Sequence, residues 1–411
     1  MRRITSPAAL ATFLVTTAVA TGAAAQTTQT AQTAQTAADS AKVIFDSRVR
    51  YESVDQDGLD RASALTVRAR LGWRSERRAN LQFLIEGEAI GALVDDYNDT
   101  IHGPARYPVV ADPETVELNR LQLSWTGLPD TEVILGRQRL VLDNARFVGN
   151  VGFRQNEQTF DAVTVRTRAF KPVEATYAYI DRVHRVFGDD SPVGEWRSDS
   201  HLLNLSVPTP IGKLTGYGYW LDFDNAPAQS SATVGVRLAG SRPVSPALTA
   251  HWTLEQARQS DHGRNPVRFD VDYTLISGGV SHGPFTATLA HERLGTDKGQ
   301  AFQTPLATLH VFQGWADVFL TTPAAGLRDR SATAAWTVRQ PPVGRSAVLS
   351  LSAREFHDAD GDIRYGREFD ASARLVVDAR WAVEAKVARF DGARPAFADR
   401  TKVWVSLEHS F

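Results

Sequence analysis

The sequence contains no cysteine, which excludes disulfides and thiolate metal sites. Its formal net charge is only −2, so it lacks the electrostatic footprint of a nucleic-acid binder. Beyond residue 26 no apolar run reaches the roughly 18 residues that a transmembrane helix needs. No convincing amphipathic helix follows either. The ten histidines form no H-E-x-x-H and no other metal-ligand spacing. A membrane is not excluded by the missing helix, because a strand crosses lipid with only about 10 residues of alternating character.

The chain starts with MRRITSPAALATFLVTTAVATGAAAQ. Arg2 and Arg3 precede an apolar stretch from Ala8 to Ala20, and Ala23, Ala24 and Ala25 stand before Gln26. This order predicts a secretory signal peptide over 1–25, cleaved near Ala25. The next segment, 26–41, is repetitive and polar (QTTQTAQTAQTAADS), and is expected to be a flexible leader. From residue 42 to 411 the texture is uniform and predicts one domain.

That domain reads as strands. LTVRARLGW (65–73) sets Val67, Ala69, Leu71 and Trp73 against Thr66, Arg68, Arg70 and Gly72. NLQFLIEGEA and LTAHWTLEQ repeat the period of two. The connections alternate between short turns, such as TGLPD (126–130) and FKPV (170–173), and long loops. Sorting loops by length in this way predicts an all-β fold, a single transmembrane antiparallel β-barrel of about 18 strands, with 16 as the alternative. Short turns would face the periplasm and long loops the exterior of a Gram-negative outer membrane. Closure has a physical cause: lipid offers no hydrogen bonds, so every backbone group must pair within the protein. The terminal KVWVSLEHSF is then the last strand, paired with the first near Val43 to Tyr51. Its closing Phe411 is expected at the lipid boundary, where it would also address the barrel-assembly machinery. Trp73, Trp125 and Trp381 fall beside short turns, as an aromatic girdle requires.

Two stretches, ILGRQRLVLDNARFVGNVGFRQNEQTFDAV (134–163) and KGQAFQTPLATLHVFQGWADVFLTTPAAGLRD (298–329), resemble the alginate-export family of outer-membrane β-barrel proteins. DGDIRYGREFDA (360–371) fits more weakly. The resemblance implies an 18-stranded barrel whose basic lumen passes an anionic polysaccharide. This chain departs from that pattern in charge, because its inward positions carry nearly as many carboxylates as guanidinium and ammonium groups.

The expected function is a channel for a hydrophilic solute, with anionic polysaccharides and other carbohydrates among the candidates, without catalysis or cofactor. A non-conducting structural or adhesive barrel and an outer-membrane hydrolase are the alternatives. Arg68, Arg70, Arg120, Arg166, Arg354 and Arg374 are the predicted basic residues of the lumen, with Arg137 and Arg139 at a strand-to-loop edge. Such guanidinium groups can pass a carboxylate along by bidentate contacts. The long segment 295–330 is a candidate gating loop through Phe312, Trp315, Asp317 and Phe319. Asp358, Asp360 and Asp362 alternate like the start of a calcium loop, but Ile363 and Phe369 stand where that loop needs Gly and Glu. GVSHG (279–283) matches a hydrolase elbow in letters only, since Ser281 lies in a turn between strands rather than before a helix.

Overall fold

The computed structural model describes residues 41–411; the expected signal peptide and nearly all of the leader lie outside them. The first six barrel strands are β1 (Lys42–Gln56), β2 (Ala62–Arg74), β3 (Leu81–Asp96), β4 (Thr115–Trp125), β5 (Thr131–Gln138) and β6 (Thr159–Thr167). They continue with β7 (Glu174–His184), β8 (Glu195–Thr209), β9 (Gly212–Leu221), β10 (Ser231–Ser245), β11 (Leu248–Asp261) and β12 (Asp270–His282). The last six are β13 (Phe285–Leu294), β14 (Leu327–Val338), β15 (Ser346–His357), β16 (Arg364–Val376), β17 (Trp381–Gly392) and β18 (Arg400–Ser410). Among the described residues these make one 18-stranded sheet, so the 16-strand alternative falls. Each strand is antiparallel to the next, and β18 returns to β1 from Asp46↔Ser410 to Gln56↔Arg400. The cylinder therefore has no open edge.

Alternation decides which side of the wall each residue takes. In β2 Thr66, Arg68 and Arg70 are buried in the bore, while Leu71 and Trp73 are exposed outside. In β18 Lys402, Trp404 and Ser406 face inward and Val405 and Leu407 outward. The outer wall thus carries leucine, valine and phenylalanine around the belt that hydrocarbon would cover. Near the short-turn rim Trp73, Trp125 and Trp381 are all exposed on it. Phe285 stacks on Trp336 there at 5.9 Å, and Phe45 on Phe411 at 5.4 Å. Asp46 and Gln56 mark the ends of the closing seam, so the terminal phenylalanine sits against β1 at that same rim.

The bore is not empty. The connection between β5 and β6 and the long one between β13 and β14 turn into it. The second ends at Gly326, because Leu327 already opens β14, and it starts with a small hairpin pairing Thr296–Asp297 with Gln300–Ala301. Their aromatic and aliphatic side chains, with inward Tyr217, Tyr219, Tyr273, Phe356 and Phe390, form the main apolar core. This core lies inside the cylinder at its long-loop half.

Candidate solute pathway

Two loops that both enter a closed cylinder must satisfy each other's backbone. Val148 and Leu306 form a parallel bridge. The Gly149 amide donates to the Leu306 carbonyl at 2.8 Å and the Thr308 amide to the Ala145 carbonyl at 3.0 Å. Gln158 Nε2 donates to the Leu306 carbonyl as well, at 3.1 Å. An added Cβ at Gly149 would stand 2.2 Å from the Thr308 hydroxyl, so glycine is what permits the approach. The joined loops divide the bore at a waist.

Charge then fastens this waist to the wall. Arg154 of the first loop reaches Glu52 of β1 at 3.1 Å and Asp317 of the second loop at 3.0 Å. Lys402 of β18 bridges the same two carboxylates at 3.1 and 2.7 Å. His310 donates from Nδ1 to Asp317 at 2.8 Å, and its Nε2 accepts from Lys386 at 2.7 Å. The imidazole stacks on Phe153 with centroids 3.5 Å apart and planes 9° from parallel. Burial, joined by the neighbouring Lys386 charge, pulls the His310 pKa down to about 3, against the opposing pull of Asp317. Burial pushes the Asp317 carboxyl up, but Lys402, His310 and Arg154 outweigh it and hold it well below the usual carboxylate range. The histidine is therefore neutral and the aspartate charged at neutral pH.

On the short-turn side of the waist lies a cavity of about 380 Å³. Arg48, Arg50, Arg68, Arg70, Arg120, Arg139, Arg374 and Arg380 line it, against the carboxylates of Asp46, Glu86, Asp378, Glu384 and Glu408. Eight guanidinium groups face five carboxylates on the cavity lining itself, while Asp112, Glu88 and Glu157 just behind it pair with Arg50, Arg70 and Arg139; positive charge therefore leads at the surface that a solute meets. A register shift in the β3–β4 pairing between Glu86 and Gly87 lets both Asn119 and Arg120 reach Glu86, at 2.8 and 2.6 Å. Not all the arginines are equally free. Arg48 donates to the carbonyls of Phe153 (2.6 Å) and Gly152 (2.9 Å), and Arg50 to Phe153 and to Asp112. Arg70 pairs with Glu88 and donates to the Gln155 carbonyl. Arg139 is 2.5 Å from Glu157; burial raises that carboxyl's pKa, yet Arg139 and Arg70 bring it below the ordinary range. Among the described residues Arg68 meets only Asp46, through Nη2, and its buried Nε and Nη1 have no hydrogen-bond partner there. Beyond the waist a second cavity of about 440 Å³ reaches the long-loop side, between Leu59, Tyr107, Phe187, Leu309 and Leu320, with Arg154, His310, Asp317 and Lys402 at its floor. The two cavities end on neighbouring residues of the same loops, Gly152, Phe153, Thr308 and Val311 on one side and Val151, Arg154, Ala307 and Leu309 on the other.

The structure brings together Arg68, Arg70, Arg120, Arg139 and Arg374 of the residues expected in the lumen. It separates the others. Arg137 shares the outward face of Leu135, which is 56% exposed, and pairs outside with Asp161 at 2.9 Å. The odd residues of β5 face out, so its strand-edge position gave the wrong side. Arg166 lies in β6 on the inward face of Thr164, away from the cavity-lining set, with Glu132 opposite it. Arg354 is inward but sits among acids, 2.5 Å from Asp329 and 3.8 Å from Asp370. The loop residues Trp315, Asp317 and Phe319 are buried in the bore. Phe312 lies under the Arg146 guanidinium at 4.8 Å, and Trp315 under Lys386 at 4.0 Å.

Asp358 spends its carboxylate on its own loop, accepting from the Gly361 and Ile363 amides at 2.8 and 3.0 Å. With Asp360 and Asp362 it makes no cluster able to hold a metal, and none occurs among the described residues. The Ser281 hydroxyl is 2.9 Å from that of Thr286, and the inward His251 contacts Thr288 at 3.0 Å; no nucleophile–base pair results. Sequence reasoning missed Arg154, Glu157 and His310. For the first two a signal was present, because RFVGNVGFRQNEQ (146–158) carries Phe147, Val148, Val151 and Phe153, more apolar surface than a solvated loop exposes. Nothing in it says which wall residues it meets.

No family model matches this chain, and no curated protein matches it. Solved structures do. The outer membrane protein opdK of Pseudomonas aeruginosa superposes with a TM-score of 0.65 at 13% identity, over 90% of this chain and 99% of that one. By fold, this chain is the barrel that such outer-membrane proteins share. OccAB4 of Acinetobacter baumannii gives 0.70 at 13% identity, over 90% and 98% of the two chains. OccK2 (OpdF) of Pseudomonas aeruginosa, solved in complex with glucuronate, gives 0.66 at 14% identity, again over 90% and 98%. Identities this low carry the architecture of the barrel and nothing finer. The resemblance to alginate exporters therefore holds to the level of the 18-stranded barrel, and no comparison carries that family itself.

Proposed function

We propose that the chain is a passive outer-membrane channel for small hydrophilic solutes that carry a carboxylate, acidic monosaccharides among them. The observation that carries this reading is the arginine-rich cavity of about 380 Å³ ending at the waist. That volume suits one small molecule. A polymer such as alginate would need a continuous wide bore, and the joined loops argue against it. Arg68, with two buried donors unspent, is the contact best placed to take a carboxylate in a bidentate grip. The glucuronate held by OccK2 is support by likeness of fold. Outer-membrane lipid surrounds the wall in this reading, and the β18 strand ending at Phe411 serves as the contact for the barrel-assembly machinery.

The second reading is a plugged, non-conducting barrel, favoured by the ion pairs that seal the waist. Uptake into liposomes separates the two. Reconstituted mature protein should pass glucuronate faster than glucose, and Arg68→Gln should cut the glucuronate rate about tenfold while sparing glucose. Equal rates for the two sugars leave a general pore. No flux of either supports the plugged barrel.

A further inference from the structure

The outer wall of β13 to β17 carries a second charged feature, unconnected with the bore. Strand register puts outward residues in level rows. Nearest the long loops, Arg293 stands opposite Arg328, and β15 His357 lies between Arg328 and Arg364. One step down the row is His291, Arg330, Glu355, Arg367 and Asp391. Below it the character changes at once to Leu289, Ala332, Ala353 and Phe369, and then to Ala287, Ala334, Leu351 and Ala371.

These small residues make a depression. A groove of about 950 Å³ runs over Gly278, Ala287, Ala332, Ala334, Ala353 and Ala371, and the exposed Leu289, Leu351 and Phe369 stand as its walls. It crosses from β12 to β17, roughly 24 Å at about 4.8 Å per strand, wide enough for more than one acyl chain. A second hollow continues from it upward past His291, Arg330, Arg364 and Arg367.

The carboxylates of the patch do not balance it. Asp391 is shared between Arg367 at 3.3 Å and Arg389 at 2.8 Å. Glu355 meets Arg364 at 3.5 Å, and Asp360 meets Arg293 at 3.6 Å. Arg330 is exposed and forms no ion pair among the described residues, although Glu355 is its strand neighbour. A guanidinium at the lipid–water boundary with no protein anion favours an anionic headgroup.

We infer that this face is a binding site for a membrane lipid with a phosphorylated headgroup and several acyl chains. The phosphate sits against Arg330 and Arg364, and the chains lie in the alanine-floored groove below. A second copy of the chain fits the face poorly. Copies in one membrane stand parallel, so a two-fold contact through the groove sets each Arg330 near its own symmetry mate. A free phosphate has no use for the groove.

Native mass spectrometry of the detergent-solubilised barrel tests this. The probe is a hexa-acylated glucosamine disaccharide bearing two phosphates, compared with its dephosphorylated form. The phosphorylated lipid should be retained about tenfold better. The double variant Arg330→Gln/Arg364→Gln should remove that preference. Ala334→Phe, which fills the groove and leaves the charges, should weaken both lipids. Heat-modifiable migration on gels shows that each variant is folded. Equal retention of the two lipids overturns the assignment. So does competition by millimolar inorganic phosphate alone, or a dimer that both variants abolish without change in lipid retention.

Discussion

Arg48 and Arg68 stand on neighbouring strands, directly opposite each other, yet they have different jobs. Arg48 is fixed by loop carbonyls at 2.6 and 2.9 Å, so it holds the waist. Arg68 touches one carboxylate and keeps donors in reserve. The same split runs through the waist, where His310 is neutral and stacked while Asp317 collects Lys402 and Arg154. The pH behaviour follows. Unfolded, His310 titrates near its ordinary 6.5, and in the waist only near 3. The unfolded chain therefore binds more protons between those values, so the waist's stability is complete above about 6.5 and declines as pH falls toward 3. Asp317 adds to the loss only lower still, since its own pKa is depressed. Single-channel recordings should show unchanged open-state noise from pH 7 to 8.5, with loop flicker growing below pH 6. His310→Phe, which keeps the stack on Phe153, should remove the growth. Flicker that is the same at pH 4.5 and pH 8 would contradict this.

At the scale of elements, the loop between β13 and β14 and that between β5 and β6 behave as one unit. Their shared hydrogen bonds and the buried Arg154–Asp317 pair give each a reason to stay in. Removing one partner of a buried pair costs about 3–5 kcal/mol, so neither loop leaves cheaply. Within the β13–β14 loop the two arms run close together, with Gln303 Nε2 donating to the Thr322 carbonyl at 2.9 Å. Deleting Thr304 to Pro323 should thus preserve the barrel and raise single-channel conductance several-fold; unchanged conductance would remove the gating role. The strands were legible in the sequence because a period of two is local: Thr66, Arg68 and Arg70 could be placed inward from β2 alone. Loop length was legible too. The destination of the loops was not, because Arg154 meeting Glu52 and Asp317 depends on contacts 102 and 163 residues away. Arg137 failed for another reason. It stands one residue from the end of a strand of only eight residues, where one step of phase decides between the inner and the outer face.

For the whole molecule, the account rests on two surfaces with opposite solvents. In it the outer belt would meet hydrocarbon, and the bore water and the loops. Leu351 lies at mid-wall on the outer face, 62% exposed, and Ser352 beside it faces inward. Leu351→Arg should destabilise the barrel in lipid by about 2–4 kcal/mol, the cost of a guanidinium near the bilayer midplane. Urea unfolding from liposomes would measure it. An unaffected midpoint would mean that this face is not in lipid.

The central claim is that the water-filled path narrows to a waist whose arginine-rich lining sets the sign of the local field. Reversal potential across a planar bilayer with a tenfold KCl gradient reads the sign of that field directly. The account predicts selectivity for chloride over potassium, reduced in Arg68→Gln. A potential of zero, or one of the sign that marks potassium as the preferred ion, would contradict it.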